Sequence, residues 1–60
     1  MLPAERRKRI LELVEERHAL SVTELCARLD VSEMTIRRDL RALDDEGLLQ
    51  RVHGGVIARR

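Results

Sequence analysis

SVTELCARLDVSEMTIRRDL, Ser21 to Leu40, contains two helix starts separated by a very short break. Ser21-Val-Thr-Glu24 has the form of a capping box, in which the serine hydroxyl accepts from a free amide while the glutamate reaches back. It opens a short helix whose apolar positions Val22, Leu25, Cys26 and Leu29 share one face. Asp30-Val31 interrupts that pattern, and Ser32 restarts it as a second N-cap. Two helices joined so tightly must turn sharply, as in a helix-turn-helix. Asp30 suits the turn, because Asp tolerates a left-handed backbone better than most residues. The second of these helices is expected to run from Glu33 to Glu46, with Gly47 at the usual C′ position.

Outward from this core motif, the amino-terminal side reads as one further helix, about residues 3–17. Pro3 fits a first helical position, where a missing amide costs nothing. Ile10, Leu13, Val14 and Leu11 supply the stripe to be buried, and Arg17 and His18 close the helix at its negative dipole end. On the carboxyl side, Leu48–His53 and Val56–Ala58 are apolar-containing runs separated by Gly54-Gly55, which reads as a β-hairpin over about 48–58. A Gly-Gly turn would set Val52 opposite Ile57 and Arg51 opposite Ala58. A brief strand at Ala19-Leu20 can join this sheet. The expected fold is mainly α with a small β-hairpin (α+β): a three-helix winged helix-turn-helix in a single domain spanning residues 1–60.

Composition narrows the function. A chain of 60 residues buries only about 60% of its unfolded surface, leaving little room for an enclosed catalytic pocket. No nucleophile is matched to a base, and neither histidine has a second ligand in sight, so no enzyme, metal or cofactor reading is supported. A single cysteine, Cys26, excludes an internal disulfide and is expected in the core as a small hydrophobe. There is no signal-like leader and no run near the ~20 apolar residues of a membrane span, so the expectation is a cytoplasmic protein without a membrane partner. The absence of Phe, Tyr and Trp disfavours single-stranded nucleic acid and RNA loops, which are commonly read by stacking on aromatic rings.

The formal net charge is only +1, but the charges are segregated. Arg6-Arg-Lys-Arg9, Arg37 to Arg41 and the acid-free stretch after Gln50 are basic, while acids cluster at Glu12, Glu15, Glu16 and Asp44-Asp45-Glu46. Such polarity fits a polyanion-binding face. On a wheel of about 100° per residue, Ile36, Leu40 and Leu43 define the buried side of the third helix. Met34, Arg38, Arg41 and Asp45 lie opposite, with Thr35, Arg37 and Ala42 on the flanks. Asp39 falls near the core edge, where a lone carboxylate needs a cation from the first helix or Arg51. In a DNA major groove the outward stripe would reach base edges: arginine can fork onto guanine, and threonine can touch a thymine methyl or a phosphate. Ser32 and the first-turn amides suit a phosphate oxygen. Arg51, His53 and the turn at Gly54 could reach the backbone or an adjacent minor groove, and Arg7 and Lys8 could meet phosphates from the first helix. A protein-interaction module is the competing reading, but it would require an apolar patch where this helix offers arginines and Met34.

The stretches RRKRILELVEE, SVTELCARLDVSEMTIRRDLRAL and EGLLQRVHGG together resemble the amino-terminal DNA-binding domain of the DeoR family of bacterial transcription regulators. The resemblance runs from about Arg6 to Ala58. It implies a winged helix-turn-helix that binds double-stranded operator DNA, usually as a repressor, with Ser32, Thr35, Arg37 and Arg38 in the recognition-helix signature. Asp30 stands where the family often has glycine, and Gln50 where a basic residue is frequent, which implies one phosphate contact fewer. Members of the family continue into a carboxy-terminal domain that senses a metabolite and drives oligomerisation. No such domain is present in these residues, so the expectation is a DNA-binding domain taken from a longer regulator, with a standalone small protein as the alternative.

Overall fold

The computed structural model describes residues 1–59; Arg60, part of the basic carboxyl-terminal stretch, lies outside them. The chain forms α1 (Pro3–Arg17), β1 (Ala19–Ser21), α2 (Val22–Leu29), α3 (Glu33–Asp45), β2 (Leu49–Val52) and β3 (Gly55–Ala58). The helices end where the local chemistry requires. The Ser21 hydroxyl accepts from the Glu24 amide at 3.0 Å, and the Ser21 amide donates to Glu24 Oε1 at 3.1 Å, completing the capping box. Asp30 adopts the left-handed conformation (φ 55°, ψ 49°) and its amide donates to the Cys26 carbonyl, so the chain leaves α2 at Leu29 and enters α3 at Glu33 after Asp30, Val31 and Ser32 alone. α3 ends in a Schellman motif: the Gly47 amide donates to Asp44 O and the Leu48 amide to Leu43 O, with Gly47 at φ 74°.

The sheet is antiparallel with strand order β1-β3-β2. The strand expected at Ala19-Leu20 forms and extends to Ser21, pairing Leu20 with Val56. The hairpin forms with a different register. Its two-residue loop is His53-Gly54, so Val52 faces Gly55 and Arg51 faces Val56, not Ile57 and Ala58. The register has a steric cause. Gly55 sits in the central strand, where an added Cβ would stand 2.5 Å from the Leu20 carbonyl oxygen, so the close approach of β1 claims this glycine for the sheet. Gly54 (φ 75°) alone supplies the left-handed turn residue.

All three helices and the sheet pack on one aliphatic core. Ile10, Leu13 and Val14 from α1 meet Val22, Leu25 and Leu29 from α2 and Ile36, Leu40 and Leu43 from α3, closed by Leu20, Leu49 and Val56 from the strands. Burying each such side chain contributes about 1.5–3 kcal/mol. Cys26, expected inside, is only half-buried; it packs at the rim of the core with Leu11 and Val31. A short helix has a narrow apolar face, and Leu25 fills its centre.

Candidate nucleic-acid interface

The core contacts of Ile36, Leu40 and Leu43 fix the rotation of α3 and turn its opposite face to solvent. Met34 (71% exposed), Arg38 and Arg41 stand on that face. Neither arginine has an ion-pair partner among the described residues. At the amino terminus of α3, Ser32 caps the helix by accepting from the Thr35 amide at 3.2 Å, and the two hydroxyls lie 2.9 Å apart. Ser32 is exposed and Thr35 half-buried, so the pair forms a fixed polar step at the start of the helix.

Arg37 occupies one flank. Its Nε and Nη2 both donate to Glu33 Oε1, at 3.0 and 2.6 Å, an i, i+4 pair one turn apart on the exposed surface. Beyond it lies the wing. Arg37, Arg51 and His53, with Val22, Leu40, Val52 and Gly55, line a cleft of about 300 Å³ between α3 and the hairpin. The cleft thus has cationic or titratable side chains on both walls. Asp44 steadies its far side, accepting from the Arg51 amide at 3.2 Å and facing Arg51 Nε at 3.6 Å. The wing turn is anchored as well: the Gly54 carbonyl accepts from the Val22 amide at 3.0 Å, leaving His53 and Gly54 exposed at the tip.

The other flank of α3 holds Asp39, which is fully buried. Its partners come from α1. Arg6 engages both carboxylate oxygens, Oδ2 through Nε and Oδ1 through Nη2 (3.1 Å), and Arg7 Nε reaches Oδ1 at 3.3 Å. The hydrogen bond to Asp39 raises the Arg6 pKa above its usual value, against the effect of burial. Of the two sources of a cation considered for Asp39, the first helix supplies it and Arg51 does not. Arg7 is therefore tied inward at one nitrogen, whereas Lys8 is exposed and unpaired among the described residues. On the α1 wheel Lys8 lies about 160° from Ile10, well round from the core.

The arrangement brings Ser32, Thr35, Arg37, Arg38 and Arg41 onto one helix, and Arg51, His53 and Gly54 onto the adjoining wing. Arg7 joins them through Asp39, and Lys8 makes no such connection. Sequence reasoning missed three participants, Glu33, Arg6 and Asp44. Only the Glu33–Arg37 pair has a local signal, its i, i+4 spacing. Arg6–Asp39 spans 33 residues and Arg51–Asp44 links a strand to a helix, so neither leaves a local signal.

The family model for a DeoR-like helix-turn-helix domain matches residues 6–60. The chain belongs to the DeoR-like helix-turn-helix family. This DeoR-like domain is 54% identical over 57 residues to the HTH-type transcriptional regulator GlpR of Haloferax volcanii, covering 95% of the chain and 22% of the relative. It is 44% identical over 57 residues to the HTH-type transcriptional regulator GolR of Listeria innocua, with the same two coverages. It is 47% identical over 55 residues to the lactose phosphotransferase system repressor of Streptococcus mutans, covering 92% of the chain and 22% of the relative. The chain thus spans about a fifth of the length of these curated relatives. No solved structure matches it. Among the described residues no helix is long and apolar enough to cross a membrane.

Proposed function

We propose that this DeoR-like domain binds double-stranded DNA sequence-specifically in the control of transcription, most simply as the operator-binding part of a repressor. α3 enters the major groove, and the wing meets the backbone or the adjacent minor groove. The observation that carries this reading is the pair Arg38 and Arg41, exposed on the outward face of α3 and left without carboxylate partners among the described residues. Ser32 and Thr35 serve the phosphate or thymine side of the helix start, and Arg37, Arg51, His53 and Gly54 the wing side. Arg7 and Lys8 add phosphate contacts from α1. The relatives' names, transcriptional regulators and a repressor, point the same way. Their greater length supports a larger protein in which a carboxy-terminal domain provides oligomerisation and metabolite sensing, working in the cytoplasm.

The test is selection of this domain on a random pool of duplex DNA at low and moderate salt, followed by titration of the selected site. A short motif that persists at moderate salt is expected. Binding confined to low salt and without a motif would replace this reading with a generic polyanion face. Arg38→Ala should then cost about 1–3 kcal/mol on the selected site and relax the preference at one base position. Uniform weakening on all sequences would make Arg38 a phosphate contact instead.

A further inference from the structure

Two guanidinium groups converge on one buried carboxylate at the α1–α3 junction. Asp39 is fully buried, the Arg6 side chain is 13% exposed, and the Arg7 side chain is 39% exposed. Arg6 alone already forks across both oxygens of Asp39, which is the strong, geometrically complete way to satisfy a carboxylate. Arg7 adds a second positive charge that Asp39 does not need. Its only hydrogen bond among the described residues is the 3.3 Å contact from Nε, so its two terminal amino groups have no protein partner there. The cluster therefore carries one negative charge and two positive ones, with the surplus on the more exposed side chain.

From these contacts we infer that Asp39 is a positioning residue for DNA binding: it holds Arg7 by Nε so that the terminal amino groups fork onto a phosphodiester. The inference rests on the DNA-binding reading, in which Arg7 meets a phosphate, and adds to it the buried residue that positions Arg7 for that contact. The position is suitable. On the α3 wheel Asp39 lies about 60° from Ile36, on the flank that continues through Thr35 and Ala42 toward Arg38. That flank is opposite the one carrying Arg37, which faces the wing cleft. A major-groove helix is bordered by a sugar–phosphate strand on each side, and α3 thus has an anchored cation for each: Arg51 on the wing side and Arg7 on the α1 side. A guanidinium can do this because its donors point along several edges of a rigid plane, so one edge can face Asp39 while another faces phosphate. Ordering Arg7 before DNA arrives also removes part of the entropy cost of ordering it on binding.

The experiment compares the wild-type chain with Arg7→Ala, Arg7→Lys, Asp39→Asn and the Arg7→Ala/Asp39→Asn double variant. Affinity for the selected duplex is measured by fluorescence anisotropy across a salt series, at a temperature where circular dichroism finds each variant folded. Arg7→Ala is expected to weaken binding about tenfold and to reduce the salt slope by about 0.9. Arg7→Lys keeps the charge but cannot face Asp39 and a phosphate with one planar fork, so it should behave like Arg7→Ala. Asp39→Asn should lower the slope similarly, and the double variant should lose no more than Asp39→Asn alone. Wild-type affinity in Arg7→Lys, or losses that multiply in the double variant, would overturn the inference. If Asp39→Asn does not fold, the Arg7→Lys comparison decides. Failure of the wild-type chain to select any motif would instead remove the DNA-binding reading itself.

Discussion

A carboxylate without solvent exposure must replace its lost hydration, and Asp39 does so with guanidinium groups from a helix that begins the chain. Removing one partner of a buried pair leaves uncompensated charge and costs about 3–5 kcal/mol. A domain of this size has only about 3–9 kcal/mol in total. Asp39→Ala should therefore lower the melting temperature by 10 °C or more, at about 4–8 °C per kcal/mol. An unchanged melting temperature would mean that Arg6 and Asp39 contribute nothing to joining α1 and α3. The two wing glycines provide a second contrast at this scale. Gly54→Ala places a side chain in open space at positive φ and should cost about 1 kcal/mol. Gly55→Ala drives a Cβ against the Leu20 backbone and should cost clearly more, read from urea midpoints. Equal, mild effects would contradict the close packing of β1 on β3. The wheel put Asp39 at the core edge because rotation about a helix axis is a local property. It could not choose the partner, since that depends on how α1 docks.

The helix boundaries around the turn are made by local groups, serine side chains at the two starts and left-handed backbone at the two ends, so these elements were largely legible in advance. The capping box at Ser21, the left-handed Asp30, the Ser32 cap and the Gly47 terminus all stand where the residues indicated. The first of these predicts a pH effect. Glu24 has a lowered pKa, chiefly because the Ser21 amide donates to it, and next because of the Ser21 hydroxyl. A depressed folded-state pKa contributes stability that is fully present above the ordinary glutamate value, about 4.3, and is lost as pH falls through the lower folded value. Glu24→Gln does not titrate. Its urea midpoint should therefore approach that of wild type as pH drops below about 4. A constant gap across pH would detach the capping box from α2 stability. The hairpin is where element-level reading failed. Gly54-Gly55 looked like the turn, but the turn is His53-Gly54, because β3 must also pair with β1.

Across the whole molecule, a net charge near zero conceals local segregation. Arg37, Arg38, Arg41 and Arg51 are exposed on α3 and the wing, where Glu33 and Asp45 offset part of their charge, while Glu12, Glu15 and Glu16 mark an exposed acidic stretch of α1. This polarity predicts strong salt dependence of DNA binding. Lys8→Ala should reduce the slope of log affinity against log salt by about 0.9 if Lys8 neutralises a phosphate. An unaltered slope would place Lys8 outside the interface, which its position on the outer side of α1 makes a sharp test. The residues by themselves determined the three helices, their caps, the presence of a wing and the outward arginine stripe, because helical periodicity and capping act over a few residues. Only the tertiary structure decided the hairpin register, the Arg6–Asp39–Arg7 cluster and the cleft shared by α3 and the wing. Those features depend on contacts between segments distant in the chain, and their energies exist only after the core has fixed the elements against one another.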